Sequence, residues 1–267
     1  MRNKLTWVLI TMLALTLNVR ALVELYDDHH RTALSYADRA LEVASELITF
    51  RVQGLVYLTR AKARRYLWDS LTEAERHREP GAFEEMLKEA NQAANLLRNS
   101  PADRVDALLE RGCVYREMAR AQYQLGRKEE AEELADKSRK DLERATTLAG
   151  AIGLVGQQAL AWTNLGWLLY YVGQAEAVPE ALRQATLLLP EEYLFPAQGA
   201  MPPMAQHQRK SEATLPYWST LGKIEMLKAY LALDQVKDPK ESNSPPFGQE
   251  LAENPSVPVE SEPALLA

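Results

Sequence analysis

The stretch Trp162-Thr163-Asn164-Leu165-Gly166-Trp167-Leu168-Leu169-Tyr170-Tyr171-Val172-Gly173, continued through Val178, Leu182 and Ala185 to Pro190, decides how the rest of the chain reads. Leu165, Gly166 and Leu169 recur at helical spacing, and Gly173 then supplies a residue that ends a helix at little steric cost. Val178, Leu182 and Ala185 follow four and three apart, so they share one face of a second helix. The segment reads as two helices joined by a short glycine turn.

Working outward, the same frame recurs upstream. Asp28 precedes Ala33, Ala37 and Ala40; Gly81 precedes Met86, Ala90 and Ala93; Gly126 precedes Ala131, Ala135 and Ser138. A turn residue lies five positions before the first small or apolar site each time. Those first sites, at 33, 86, 131 and 178, are separated by steps of 53, 45 and 47 residues. Small side chains on one helical face let a neighbouring helix approach closely, and self-similarity at this period signals stacked supersecondary units.

Composition agrees with an all-α chain. Of 267 residues, Gly (12), Phe (4) and Cys (1) are scarce while Ala and Leu dominate, as expected of packed helices and not of a sheet. With 46 % hydrophobic and 25 % charged residues the chain can bury a normal core, which excludes wholesale disorder. A net charge of -6 argues against a charge-driven grip on nucleic acid.

Chemistry-bearing constellations are thin. Cys113 cannot build an intrachain disulfide, and with four scattered His it offers no zinc set. His29 and His30 are adjacent, so on a helix their side chains diverge by about 100° and make a poor metal pair. Gly150-Ala151-Ile152-Gly153-Leu154-Val155-Gly156 lacks the lysine of a phosphate-binding loop. Cys113 has Arg116 one turn away, yet a small core thiol is its ordinary role. No acid, base or nucleophile set occurs at helical spacing, so neither an enzyme nor a cofactor is expected.

Prolines organise the chain. Only Pro80 and Pro101 precede Pro179, so a helical repeat region of about four helix pairs is expected over residues 1–190. Five prolines crowd residues 190–216, which predicts an irregular Pro/Met-rich segment over 191–216. A final helix, a partial repeat or cap, fits residues 217–236. Residues 237–267, with six prolines and a charge of +2 - 6 = -4, read as a disordered acidic tail.

The apolar run over residues 5–17 follows Arg2 and Lys4 and leaves three readings open: a buried helix of the fold, a signal or anchor, or an interfacial helix. The first implies a cytoplasmic protein, the second an exported or membrane-anchored one through residues 1–21. A helix this apolar cannot cap a solenoid alone, so self-association is expected, with membrane contact the less favoured option.

The repeated residues resemble the tetratricopeptide repeat (TPR). Trp162, Leu165, Gly166, Leu169, Gly173, Val178, Leu182, Ala185 and Pro190 fall at that family's spacings, as do Tyr115, Ala119, Tyr123, Gly126, Ala131 and Ala135 in the preceding unit. Trp218-Ser219-Thr220-Leu221-Gly222 echoes Trp162 to Gly166 and suggests another first helix. The family period is about 34 residues, so each unit here must be lengthened. Lengthened repeats are similar to the helical sensor arms of bacterial signal-transduction ATPases and regulators. The resemblance implies a right-handed superhelix of antiparallel helix pairs, an α-solenoid, whose first helices line a concave groove. It further implies a protein-protein interaction scaffold that binds a peptide or partner helix. The alternatives are a sensor arm of a larger ATPase or transcription regulator, or a membrane-anchored or exported assembly factor.

On the family pattern the groove-facing residues are Cys113, Arg116, Arg120, Tyr123 and Gln124 in the third unit and Thr163, Trp167, Tyr170 and Tyr171 in the fourth, with Asn164 adjacent. Arg116 and Arg120 share a helix face and suit carboxylate recognition, while the aromatics suit anchoring a partner, so an acidic or aromatic-bearing peptide is expected. Equally, Arg116 can pair with Glu117 or Glu110 and the aromatics can be packing between repeats. A second basic cluster, Arg60, Lys62, Arg64 and Arg65, on a long helix from about residue 50 to 78, reads as a solvated face with local pairing.

Overall fold

Each repeated small-residue frame forms the buried face of a helix that packs on the helix before it. The computed structural model describes residues 4–47, 49–76, 81–189 and 215–236. Regular structure among the described residues is all helical: α1 (Lys4–Tyr26), α2 (His30–Ser45), α3 (Phe50–Ser70), α4 (Glu73–Arg76), α5 (Ala82–Leu96), α6 (Pro101–Gln124), α7 (Lys128–Ala151), α8 (Val155–Tyr171), a 3-10 turn (Ala175–Ala177), α9 (Val178–Leu187) and α10 (Leu215–Val236). Ala33, Ala37 and Ala40 of α2, Met86, Ala90 and Ala93 of α5, Ala131, Ala135 and Ser138 of α7, and Val178, Leu182 and Ala185 of α9 are all buried.

Packing follows chain order. α1 lies on α2, α2 on α3, α3 on α5, α5 on α6, α6 on α7, α7 on α8 and α8 on α9. In addition α1 touches α3, α3 touches α6 and α6 touches α8, so these four form one layer of first helices. The second helices α2, α5, α7 and α9 have no comparable packing on one another among the described residues.

Close approach is explicit where α6 crosses α7. The Ser138 hydroxyl donates to the Gly112 carbonyl at 2.7 Å, and a Cβ at Gly112 would sit 2.9 Å from the buried Leu142 side chain. The turns are equally regular. Asp28, Gly126, Gly153 and Gly173 have φ of 60°, 74°, 75° and 77°. At each, the following N–H donates five residues back, as His29 to the Glu24 carbonyl at 2.9 Å and Gln174 to that of Leu169 at 2.8 Å. This double closure satisfies the last carbonyls of the helix and turns the chain into its partner. Gly81, in the same place of the repeat frame, has φ of -96°, outside the left-handed region.

Two expected boundaries move. The helix foreseen from about 50 to 78 stops at Ser70, because Leu71 is extended and Thr72 opens a new turn. There the Thr72 N–H donates to the Glu75 carboxylate at 2.9 Å while the Glu75 N–H donates to the Thr72 hydroxyl at 3.4 Å, a reciprocal cap. α10 begins at Leu215, two residues before the expected start, with Pro216 in its first turn where a missing N–H costs nothing. The expected irregular segment up to residue 214 and the tail from 237 lie outside the described residues.

α1 is docked by one face and open on the other. Trp7, Ile10, Ala14 and Leu17 pack against Ala40, Ala44, Leu47, Val52 and Val56, and Leu25 packs against Ala33 and Ala63. Leu5, Leu9, Met12, Val19, Val23 and Tyr26 remain exposed in a single stripe at helical spacing. By length and composition α1 could cross a membrane, with 28 % of its apolar window buried inside the fold.

Candidate interaction face on the first-helix layer

Residues from α3, α6, α8 and α10 converge on one layer. Arg65 of α3 donates from Nε (2.7 Å) and Nη2 (3.0 Å) to both carboxylate oxygens of Glu110 on α6. Both side chains are buried, and Asp69 stands 3.7 Å from the same guanidinium, one turn along α3. Two turns along α6 from Glu110, Glu117 accepts from Arg116 Nε at 2.9 Å, and Arg116 Nη1 donates to Asn164 Oδ1 of α8 at 2.5 Å. Arg120 approaches Glu117 at 3.5 Å, and its guanidinium lies 4.9 Å from the centre of the Tyr171 ring. Glu110, Cys113 and Glu117 occupy one face of α6, so a single helix register delivers the whole line.

The electrostatics follow from burial and pairing. Burial pushes the Glu110 carboxyl up, but Arg65, Lys62 and Lys223 together hold it below the ordinary range. Burial likewise opposes ionisation of Glu117, and Arg116, Arg120 and Arg65 outweigh it. Burial and the Glu117 charge raise Asp69, and the same two causes push the Tyr171 hydroxyl up to about 12. Arg65, Arg116 and Arg120 thus face Asp69, Glu110 and Glu117.

The residues foreseen from the repeat pattern are distributed as follows. Arg116 and Asn164 are bonded to each other, and the Asn164 amide also donates to the Leu160 carbonyl at 2.9 Å. Arg116 pairs with Glu117, one of its two foreseen partners, and leaves Glu110 to Arg65. Thr163 is fully buried and donates to the Ala159 carbonyl at 2.9 Å. Trp167 and Tyr170 are buried, with ring centres 6.1 Å apart, and Tyr171 lies 5.5 Å from Trp167. Tyr123 is half-buried, its hydroxyl 3.3 Å from where a Cβ on Gly173 would lie, and Gln124 is exposed at the end of α6. Cys113 is buried.

Asp69 and Tyr230 were not foreseen, nor was the pairing of Arg65, expected on a solvated face, with Glu110, expected at most beside Arg116. Beyond the local Arg65–Asp69 pair, the basic cluster pairs across helices: Arg60 reaches Asp38 of α2 at 2.9 Å and Glu89 of α5 at 3.1 Å, and Arg64 reaches Glu89 at 3.0 Å. Arg111 likewise clasps Asp141 of α7 with both oxygens, at 2.6 and 2.8 Å. These partners are 22 to 45 residues apart in sequence or on a neighbouring helix, beyond the reach of a within-helix rule. Elsewhere, an open depression of about 480 Å³ between α2 and α3 is bordered by Asp38, Glu42, Gln53, Tyr57 and Arg60. Among the described residues no cluster of His, Cys, Asp and Glu is placed to hold a metal ion. Compared with models of known protein families and with curated proteins, the chain matches none.

Proposed function

We propose that this chain is a TPR-like α-solenoid, a right-handed superhelix of antiparallel helix pairs, that works as a protein-protein interaction scaffold. Its receiving surface is the layer of first helices, and its ligand is a peptide segment or a helix of a partner protein. The observation that carries this reading is the packing order: from α1 to α9, the short α4 apart, each helix packs on the next, while α1, α3, α6 and α8 also touch in succession and so build one continuous face. Because Trp167 and Tyr170 are buried, recognition rests on the residues of that face that solvent reaches, Arg120, Tyr123, Gln124 and Tyr171.

A second reading, a membrane-anchored or exported assembly factor of the same architecture, is favoured by α1 alone, through its length and its exposed apolar stripe. The test is affinity capture from the native host with the full chain, followed by binding measurements on the purified partner. A variant with Arg120→Ala, Tyr123→Ala and Gln124→Ala should bind it at least about tenfold more weakly. Equal affinity of a correctly folded variant refutes the assignment of this face.

A further inference from the structure

α10 does not sit where a fifth first helix would. α3, α6 and α8 each pack more extensively on the second helix of the preceding pair than on its first helix. α10 reverses this order: it packs on the first helix α8 and has no comparable contact with α9. Its sequence echoes a repeat helix, yet the surroundings of Gly222 are open, whereas a Cβ at the corresponding Gly166 would meet Ala181 and Leu182 of α9. α10 therefore has no second helix of its own among the described residues.

It lies on α8, docked by one face. Ile224 and Leu227 are fully buried, and Leu227 lies 3.2 Å from where a Cβ on Gly166 would be. Tyr230 packs on Trp167 at 5.7 Å and Tyr170 at 6.2 Å between ring centres. The charge of Lys223, one residue before the first anchor, helps to hold the Glu110 carboxyl of α6 down. Glu225, Met226, Lys228 and Ala229 face solvent. The burial of Trp167 and Tyr170, two of the foreseen groove residues, is thus partly the work of α10. In the sequence, residues 190–214 separate it from the end of the preceding repeat.

We propose that α10 is an intramolecular ligand, holding the place on α8 at which a partner's amphipathic helix docks after displacing it. The partner helix presents an aliphatic residue, a second aliphatic three residues on and an aromatic three further, preceded by a basic residue, as Lys223, Ile224, Leu227 and Tyr230 do. This rests on the interaction-scaffold reading and names the class of partner for it.

The experiment uses the full-length chain carrying a specific protease site within residues 196–205, and as probe a fluorescent peptide of residues 215–236. Before cleavage the tether gives α10 an effective concentration near ~1 mM and the probe competes poorly. After cleavage the probe should bind at least about tenfold tighter, with the helical circular dichroism of the body unchanged. A probe with Leu227→Asp and Tyr230→Ala should not bind. Equal probe affinity before and after cleavage, loss of body helicity once the fragment leaves, or binding of the doubly substituted probe overturns the proposal. Probe exchange without any captured partner preserves the role of α10 and removes the scaffold reading; a captured partner without probe exchange does the reverse.

Discussion

Replacing Glu110 with Gln is the sharpest perturbation of this structure. Arg65 and Glu110 are both buried and share two hydrogen bonds, so the substitution leaves a guanidinium in the interior without its counter-charge. Breaking a buried pair this way costs about 3–5 kcal/mol. Asp69 stays 3.7 Å from Arg65 and supplies part of the missing charge, which places the loss near the lower end, about 3 kcal/mol. For a chain of this size that is a drop in Tm of roughly 6–12 °C.

Urea titration followed by circular dichroism measures it, with Arg65→Met plus Glu110→Leu as the companion variant. Removing both charges together should return stability to within about 1 kcal/mol of the starting protein. The pH dependence carries a sign. Glu110 is held below its ordinary 4.5 in the folded chain, so its contribution is complete above that pH and is lost as pH falls through the folded value. The gap between the protein and Glu110→Gln should therefore be full at neutral pH and close in acid. A loss below about 1 kcal/mol at neutral pH, or a gap that widens in acid, refutes the reasoning.

Further expectations concern turns, titration and assembly. Asp28 occupies the left-handed region at φ 60°, so Asp28→Gly should raise stability by about 0.5–1 kcal/mol, whereas Gly173→Ala at φ 77° should lower it by about 1 kcal/mol, both read from thermal melts. The Tyr171 hydroxyl, pushed up by burial and by the Glu117 charge, should ionise at about 12; ultraviolet titration should lose that step in Tyr171→Phe, and ionisation in the ordinary tyrosine range contradicts the packing described. Leu9→Glu plus Met12→Glu should reduce self-association through the exposed stripe of α1 without lowering helicity. Sedimentation checks this, and a starting protein that is already monomeric refutes it.

The helix pairs were legible because alanine spacing is a local signal: Ala33, Ala37 and Ala40, or Ala131, Ala135 and Ser138, mark a close-packed face whatever lies opposite. The turns at Gly126 and Gly173 were legible for the same reason, since only the local backbone decides them. The end of α3 was missed because the Thr72-Glu75 cap, a four-residue signal, lies inside a run that otherwise looks helical. Among the candidate residues, the pairing of Arg116 with Glu117 was one of two readings the sequence allowed. Arg65 with Glu110 was not readable. The two are 45 residues apart, and their meeting depends on how α3 and α6 are rotated about their axes, which no within-helix period encodes.

The two sides of the array differ mechanically. First helices are joined by directional bonds, Arg65 to Glu110 and Arg116 to Asn164, whereas second helices have no comparable mutual contact among the described residues. Bending that fans the second helices apart breaks none of these links, and bending that parts the first helices must strand buried charge. Stiffness is therefore concentrated where α3, α6 and α8 meet, and any motion that separates those three helices has to expose or orphan an ion pair that water does not reach.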